Sequence, residues 1–156
     1  PALGDLGLCH LSIGKRSAKD AHLKVAANAF RECLKFMPLS QDRENWATTQ
    51  NNLGILWRSR ARVVHQSAFL DTAEACYRNA LRVRTKAEIP HYWADTTGGL
   101  GELELDRFEH DKSPAHLTAA RAFIEDARSV FSEGNDHLTN RCNTLLARIE
   151  AAEASL

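Results

Sequence analysis

Apolar positions along this chain recur at helical spacing. Trp46, Gln50, Leu53 and Trp57 fall at i, i+4, i+7 and i+11, one face of a helix. After a short polar stretch, Leu70, Ala73, Tyr77, Ala80 and Leu81 make a second stripe. Upstream, Leu23, Ala26, Phe30, Cys33, Leu34 and Met37 make another, and Gly14 is expected to end the helix before it. Downstream, Ser113 is a candidate N-cap, and Pro114 stands at the first helical position, where the missing amide proton costs nothing. A last stripe over 137–154 carries Leu138, Cys142, Leu145, Leu146 and Ile149.

The stripes share one period. WATTQNNLG at 46–54 returns as WADTTGGLG at 93–101, a step of 47 residues. The same step aligns Leu6, Leu53 and Leu100; Gly7, Gly54 and Gly101; Ala21, Ala68 and Ala115. It also aligns Leu23, Leu70 and Leu117, then Ala26, Ala73 and Ala120. Five positions identical in three copies predict a solenoid, because periods of about 20–50 residues mark stacked supersecondary units. Each unit reads as a leading and a trailing helix. ELELD at 102–106 alternates like a strand, but the period assigns it to the third leading helix. The expected units are 1–38, 39–85 and 86–132 in a single domain, with a capping helix within 133–156. The small residues are expected to let paired helices approach closely. Trp46 and Trp93 are expected to wedge against the preceding trailing helix.

The pattern resembles the tetratricopeptide repeat. Leu53, Gly54, Trp57, Ala73, Tyr77 and Ala80 match its signature, and Pro38 stands where that family often closes a unit. Glu104 departs from it at the aromatic position. WATTQNNLG and YRNALRVRT resemble bacterial long-repeat arrays, and the NNL motif is similar to that of kinesin light chain repeats. The resemblance implies a right-handed superhelix whose concave face, lined by leading helices, holds an extended peptide or a partner's helix. It implies that one Asn of NNL binds peptide backbone. The Lys and Asn positions of the family's chaperone-tail clamp hold Gly4 and Leu8 here, so that acidic tail is not an expected ligand.

On the second leading helix the face left over is Thr48, Asn51, Ile55, Arg58 and Arg62, with Asn52 beside it. Asn51 and Asn52 are expected to be exposed, offering amide donors and acceptors. The matching face of the first unit is Gly4, Leu8, Leu11 and Lys15; that of the third is Asp95, Gly98, Glu102, Leu105 and Glu109. A groove of this kind would be basic near Arg58 and Arg62 and acidic near Asp95, Glu102 and Glu109, setting ligand direction. The alternative is that Arg58 and Glu102 merely pair with each other. Gly98 and Gly99 either admit a close approach or loosen their helix.

Composition narrows the rest. Lys and Arg total 20 and Asp and Glu total 20, giving zero formal net charge, which argues against a nucleic-acid partner. No apolar run is long enough to span a membrane, and no signal peptide is expected. The chain opens at Pro1, five residues before Leu6, so the first leading helix is expected to be clipped and upstream sequence to exist. Cys9, Cys33, Cys76 and Cys142 lack metal-site spacing and read as small side chains packed in a reducing, cytoplasmic setting. Cys9 and His10 point about 100° apart on a helix, which does not make a nucleophile–base pair. His10 reads as a core histidine, and His110, Asp111 and His116 as a solvated turn rather than a metal site. No catalytic residue, cofactor or metal is expected. The expected function is non-catalytic recognition of a protein or peptide. A spacer within a larger protein is the alternative, and homo-oligomerisation through Leu145 and Ile149 of the terminal helix is a third possibility.

Overall fold

The computed structural model describes residues 2–131 and 136–156. The expected start of the capping segment at 133 lies outside them. Among the described residues seven helices follow one another: α1 (Ala2–Ser17), α2 (Asp20–Phe36), α3 (Arg43–Val64), α4 (Ala68–Leu81), α5 (Pro90–Asp111), α6 (Pro114–Phe131) and α7 (Asp136–Glu153). No strand occurs among the described residues, and ELELD lies inside α5. The helices gather into two compact units, one ending at Val83 and the other beginning at Arg84.

In the first unit α1 pairs with α2 and α3 with α4, while α2 packs on α3 and α1 touches α3. In the second unit α5 pairs with α6, α6 packs on α7, and α5 touches α7. Within each unit, leading helices therefore lie beside one another.

The repeated glycines explain the pairing. A Cβ on Gly7 would stand 2.6 Å from the Phe30 ring, and one on Gly54 would stand 2.6 Å from the Tyr77 ring. On Gly101 it would stand 2.5 Å from Ile124 Cγ1. A bulky side chain of each trailing helix thus lies on bare backbone of its leading helix, flanked by the buried Ala26, Ala73 and Ala120. In α7 the aligned position is the exposed Arg148, and no trailing helix follows within the described residues to demand a glycine there.

Each leading helix also ends in one way. Ala18, His65 and Lys112, each 47 residues from the next, take the left-handed conformation with φ of 51°, 53° and 60°. Gly14 does not end α1: it lies within the helix, pressed against Leu23. A left-handed residue frees the chain to reverse into the trailing helix. Elsewhere caps are local. The Asp42 carboxylate accepts from the Asn45 amide at 3.1 Å to open α3, and the Asn45 side chain and amide hold its pKa below the usual aspartate range. α6 begins at Pro114 directly after Ser113, as the sequence predicts.

Trp46 is half-buried and packs on Ala47, Ala80 and Val83, so it meets the end of its own trailing helix. Trp93 is half-buried against the core of the second unit, with Lys86 Nζ 4.7 Å from its ring. Cys33, Cys76 and Cys142 are buried and free, whereas Cys9 is exposed. Burial pushes the Cys76 thiol up to about 11 and raises those of Cys33 and Cys142. These three are therefore poor nucleophiles.

Candidate partner-binding site

α1 and α3 border a surface groove of about 330 Å³. From α1 it takes Leu8, Leu11, Ser12, Lys15 and Arg16; from α3 it takes Asn52 and Ile55. Leu8 is an exposed leucine, while Leu11 is buried beneath it. Lys15 and Arg16 follow in the last turn of α1, so positive charge gathers at that end of an apolar floor. Leu8, Leu11, Lys15, Asn52 and Ile55 belong to the face expected of the first two leading helices, whereas Ser12 and Arg16 do not.

Other expected members of that face sit differently. Asn51 and Arg58 were expected to be open to solvent, but they are only 6% and 4% exposed. Their polar groups serve the packed structure, as buried polar groups generally must. Thr48 is half-buried and its hydroxyl faces Glu44 at 3.5 Å, while Arg62 is exposed.

In the second unit the acidic face meets α7. The Arg141 guanidinium binds Glu102, with Nε 2.9 Å from Oε1, and lies 3.5 Å from Asp95. Arg148 donates to Glu109 at 2.9 Å. Leu105 is buried. A crevice of about 10 Å³ lies among Ala94, Gly98, Phe131 and Cys142. The terminal helix thus supplies counter-charges to the carboxylates that were expected to meet a ligand. The sequence holds a signal for this, Arg141 and Arg148 two turns apart on an otherwise polar face. Leu145 and Ile149, expected to be free for self-association, are buried in the core with Leu117 and Ile124.

The position occupied by His10, Trp57 and Glu104 meets the position occupied by His22, Phe69 and His116 in every pair. His10 Nδ1 lies 3.0 Å from His22 Nδ1, a hydrogen bond in which one ring donates and the other accepts. Trp57 stacks on Phe69 with ring centroids 5.4 Å apart. Glu104 Oε2 lies 2.6 Å from His116 Nδ1, and Arg107 donates to Glu104 Oε1 at 2.8 Å. His116 Nε2 lies 3.1 Å from Asp111, whose pKa is lowered chiefly by the Ser113 amide. One helix-to-helix contact is built from three chemistries, and Glu104 with His116 stands where the second pair has Trp57 with Phe69. His10 is correspondingly half-buried and paired, not part of the core. Among the described residues no three His, Cys, Asp or Glu side chains are placed so that they could hold a metal ion.

Arg31 and Arg60 both lie over the Trp57 ring, their guanidinium carbons 5.3 and 5.2 Å from its centroid. Arg60 also grips Asp20 of α2 through two hydrogen bonds of 2.6 and 3.1 Å. Asp20 is held below the usual aspartate range mainly by Arg60 and further by Lys24, with burial opposing them. Arg84, in the RVRT stretch, is 2% exposed; it donates to Thr96 Oγ1 at 3.0 Å and lies 4.8 Å from the Tyr92 ring. That arginine serves architecture.

No family model, no curated protein and no solved structure matches the chain.

Proposed function

We propose that this chain is a non-catalytic protein-recognition module of the tetratricopeptide type, acting in the cytoplasm. Its helix pairs would stack as a right-handed solenoid. Its ligand is a peptide or helical segment held against α1 and α3. The observation that carries this reading is the groove: an apolar floor of Leu8, Leu11 and Ile55, an amide from Asn52, and Lys15 with Arg16 at one end. Such a surface suits a segment with an apolar side chain followed by an acidic one. Burying the apolar residue supplies affinity, and the charges set orientation and encounter rate.

The test compares capture of partners from lysate by wild type and by the variant Leu8→Asp/Arg16→Glu/Asn52→Ala. Leu8 and Arg16 are exposed and Asn52 is half-buried, so circular dichroism should remain helical. A partner lost only in the variant, and carrying the apolar–acidic segment, supports the reading. A partner retained by both removes the groove from the function.

The second reading is a spacer within a larger protein. It is favoured by Arg141 and Arg148, which engage the acidic side chains of α5 from within the chain. Under that reading neither protein captures a partner.

A further inference from the structure

α7 aligns with the leading helices α1, α3 and α5 at the same 47-residue step. It differs from them at two positions where a leading helix receives its trailing helix. The first is Ala47 in α3 and Ala94 in α5, both fully buried. Ala47 packs with Ala80 and Val83, and Ala94 shares a core with Ala127 and Phe131 of α6. In α7 this position is Arg141. The second is the glycine of each pair, Gly7, Gly54 and Gly101, and in α7 it is Arg148.

Arg148 is the stricter obstacle. A Cβ on Gly54 would stand 2.6 Å from the Tyr77 ring, and one on Gly101 would stand 2.5 Å from Ile124. Close-packed atoms leave no such room. Swinging the guanidinium aside does not help, because the Cβ stays. At Arg141 the Cβ itself would fit, as that of alanine does in α3 and α5. The rest of its side chain would have to leave the contact or be buried in it, and burial takes a charge out of water.

α5 holds both guanidinium groups elsewhere. Its Asp95, Glu102 and Glu109 recur every seven residues, the spacing of Arg141 and Arg148. Arg141 binds Glu102 and lies 3.5 Å from Asp95, and Arg148 donates to Glu109 at 2.9 Å. The apolar side of α7, with Cys142, Leu145, Leu146 and Ile149, is buried in the core of the second unit. Its other side carries Asn140, Asn143, Thr144 and Arg148, all exposed. A helix with a single apolar stripe buries one face only.

We propose that α7 is built as a stop: it admits no trailing helix of its own, whatever sequence adjoins it, and Arg141 and Arg148 are the side chains that bar one. The partner excluded is specific, an amphipathic helix of the α2, α4 or α6 type, from this chain or from another. Stacked repeats need such a polar face where stacking ceases, to stay soluble.

Appending a copy of residues 110–131 directly after Leu156 keeps the 47-residue step and offers α7 a trailing helix. Amide hydrogen exchange reads whether that helix docks. In the native background its amides should exchange as those of an unstructured tail. With Arg141→Ala/Arg148→Gly they should slow by at least about tenfold. Exposed ion pairs contribute little, so α7 itself should stay protected in the variant. Should it not, Arg148→Gly alone decides, because Arg141 still holds Glu102. Protection of the appended helix in the native background overturns the proposal, since the arginines would then bar nothing. Lack of protection in both backgrounds overturns it too, since something other than these two side chains would then close α7.

Discussion

Glu104 of α5 and His116 of α6 are joined at 2.6 Å where the preceding helix pair stacks Trp57 on Phe69. The carboxylate is buried, and it also accepts from Arg107. Replacing an aromatic contact by a polar one is sustainable because the carboxylate has partners. Glu104→Ala removes the acceptor of both Arg107 and His116. The expected cost is about 1–3 kcal/mol, read as a lower urea midpoint with an unchanged m-value. An unchanged midpoint would show that the pair contributes nothing to folding.

Gly54 and Gly98 should respond oppositely to the same substitution. A methyl on Gly54 enters the Tyr77 ring, so Gly54→Ala should destabilise by about 1–3 kcal/mol. A methyl on Gly98 meets only Ala127 Cβ, at an ordinary 3.8 Å. α5 is unbroken there, so Gly98→Ala should stabilise by about 1 kcal/mol through helix propensity. Thermal melts of the two variants decide this, and two shifts of the same sign would contradict it.

His65→Gly should stabilise the protein. A side chain in the left-handed region costs about 1–2 kcal/mol, and His65 has φ of 53°. Part of the gain is offset by glycine's larger freedom in the unfolded chain, so a rise of about 0.5–1 kcal/mol is expected. Chemical denaturation provides the measurement. A loss of stability would mean that the imidazole has a packing role outweighing the strain.

Asp20 should give part of the stability an acid limb. Its folded pKa lies below the ordinary aspartate value of about 3.9, chiefly because Arg60 binds the carboxylate. The contribution is present above that ordinary value and is lost as pH falls through the lower folded value. Asp20→Asn should therefore destabilise at about pH 7, and the deficit should shrink toward about pH 3. Urea midpoints across that range would show it; a deficit independent of pH would place the effect in packing instead of charge.

Much of this was legible from the residues because a period exposes what local pattern hides. The step of 47 residues assigned ELELD to a helix against its own alternation, and it singled out the glycines on which Phe30, Tyr77 and Ile124 now lie. It gave no hint of the left-handed ends at Ala18, His65 and Lys112, since no glycine stands at any of them. Gly14 misled for the same reason: a glycine may serve as a close-packing residue as readily as a terminator, and only its neighbour Leu23 shows which. For Asn51 and Arg58, membership of a helix face left open how much of that face other groups cover.

The sequence by itself determined the helix pairs and their internal contacts. Those depend on neighbours a few turns or one hairpin away, which the spacing of apolar and small residues encodes directly. Tertiary structure decided which faces remain in water. Arg141 and Arg148 reach Glu102 and Glu109 from 39 residues away in each case. Leu6 is exposed while Leu53, identical in the repeat, is buried. Exposure belongs to the sum of everything packed around a side chain, and that sum is not written at any one position.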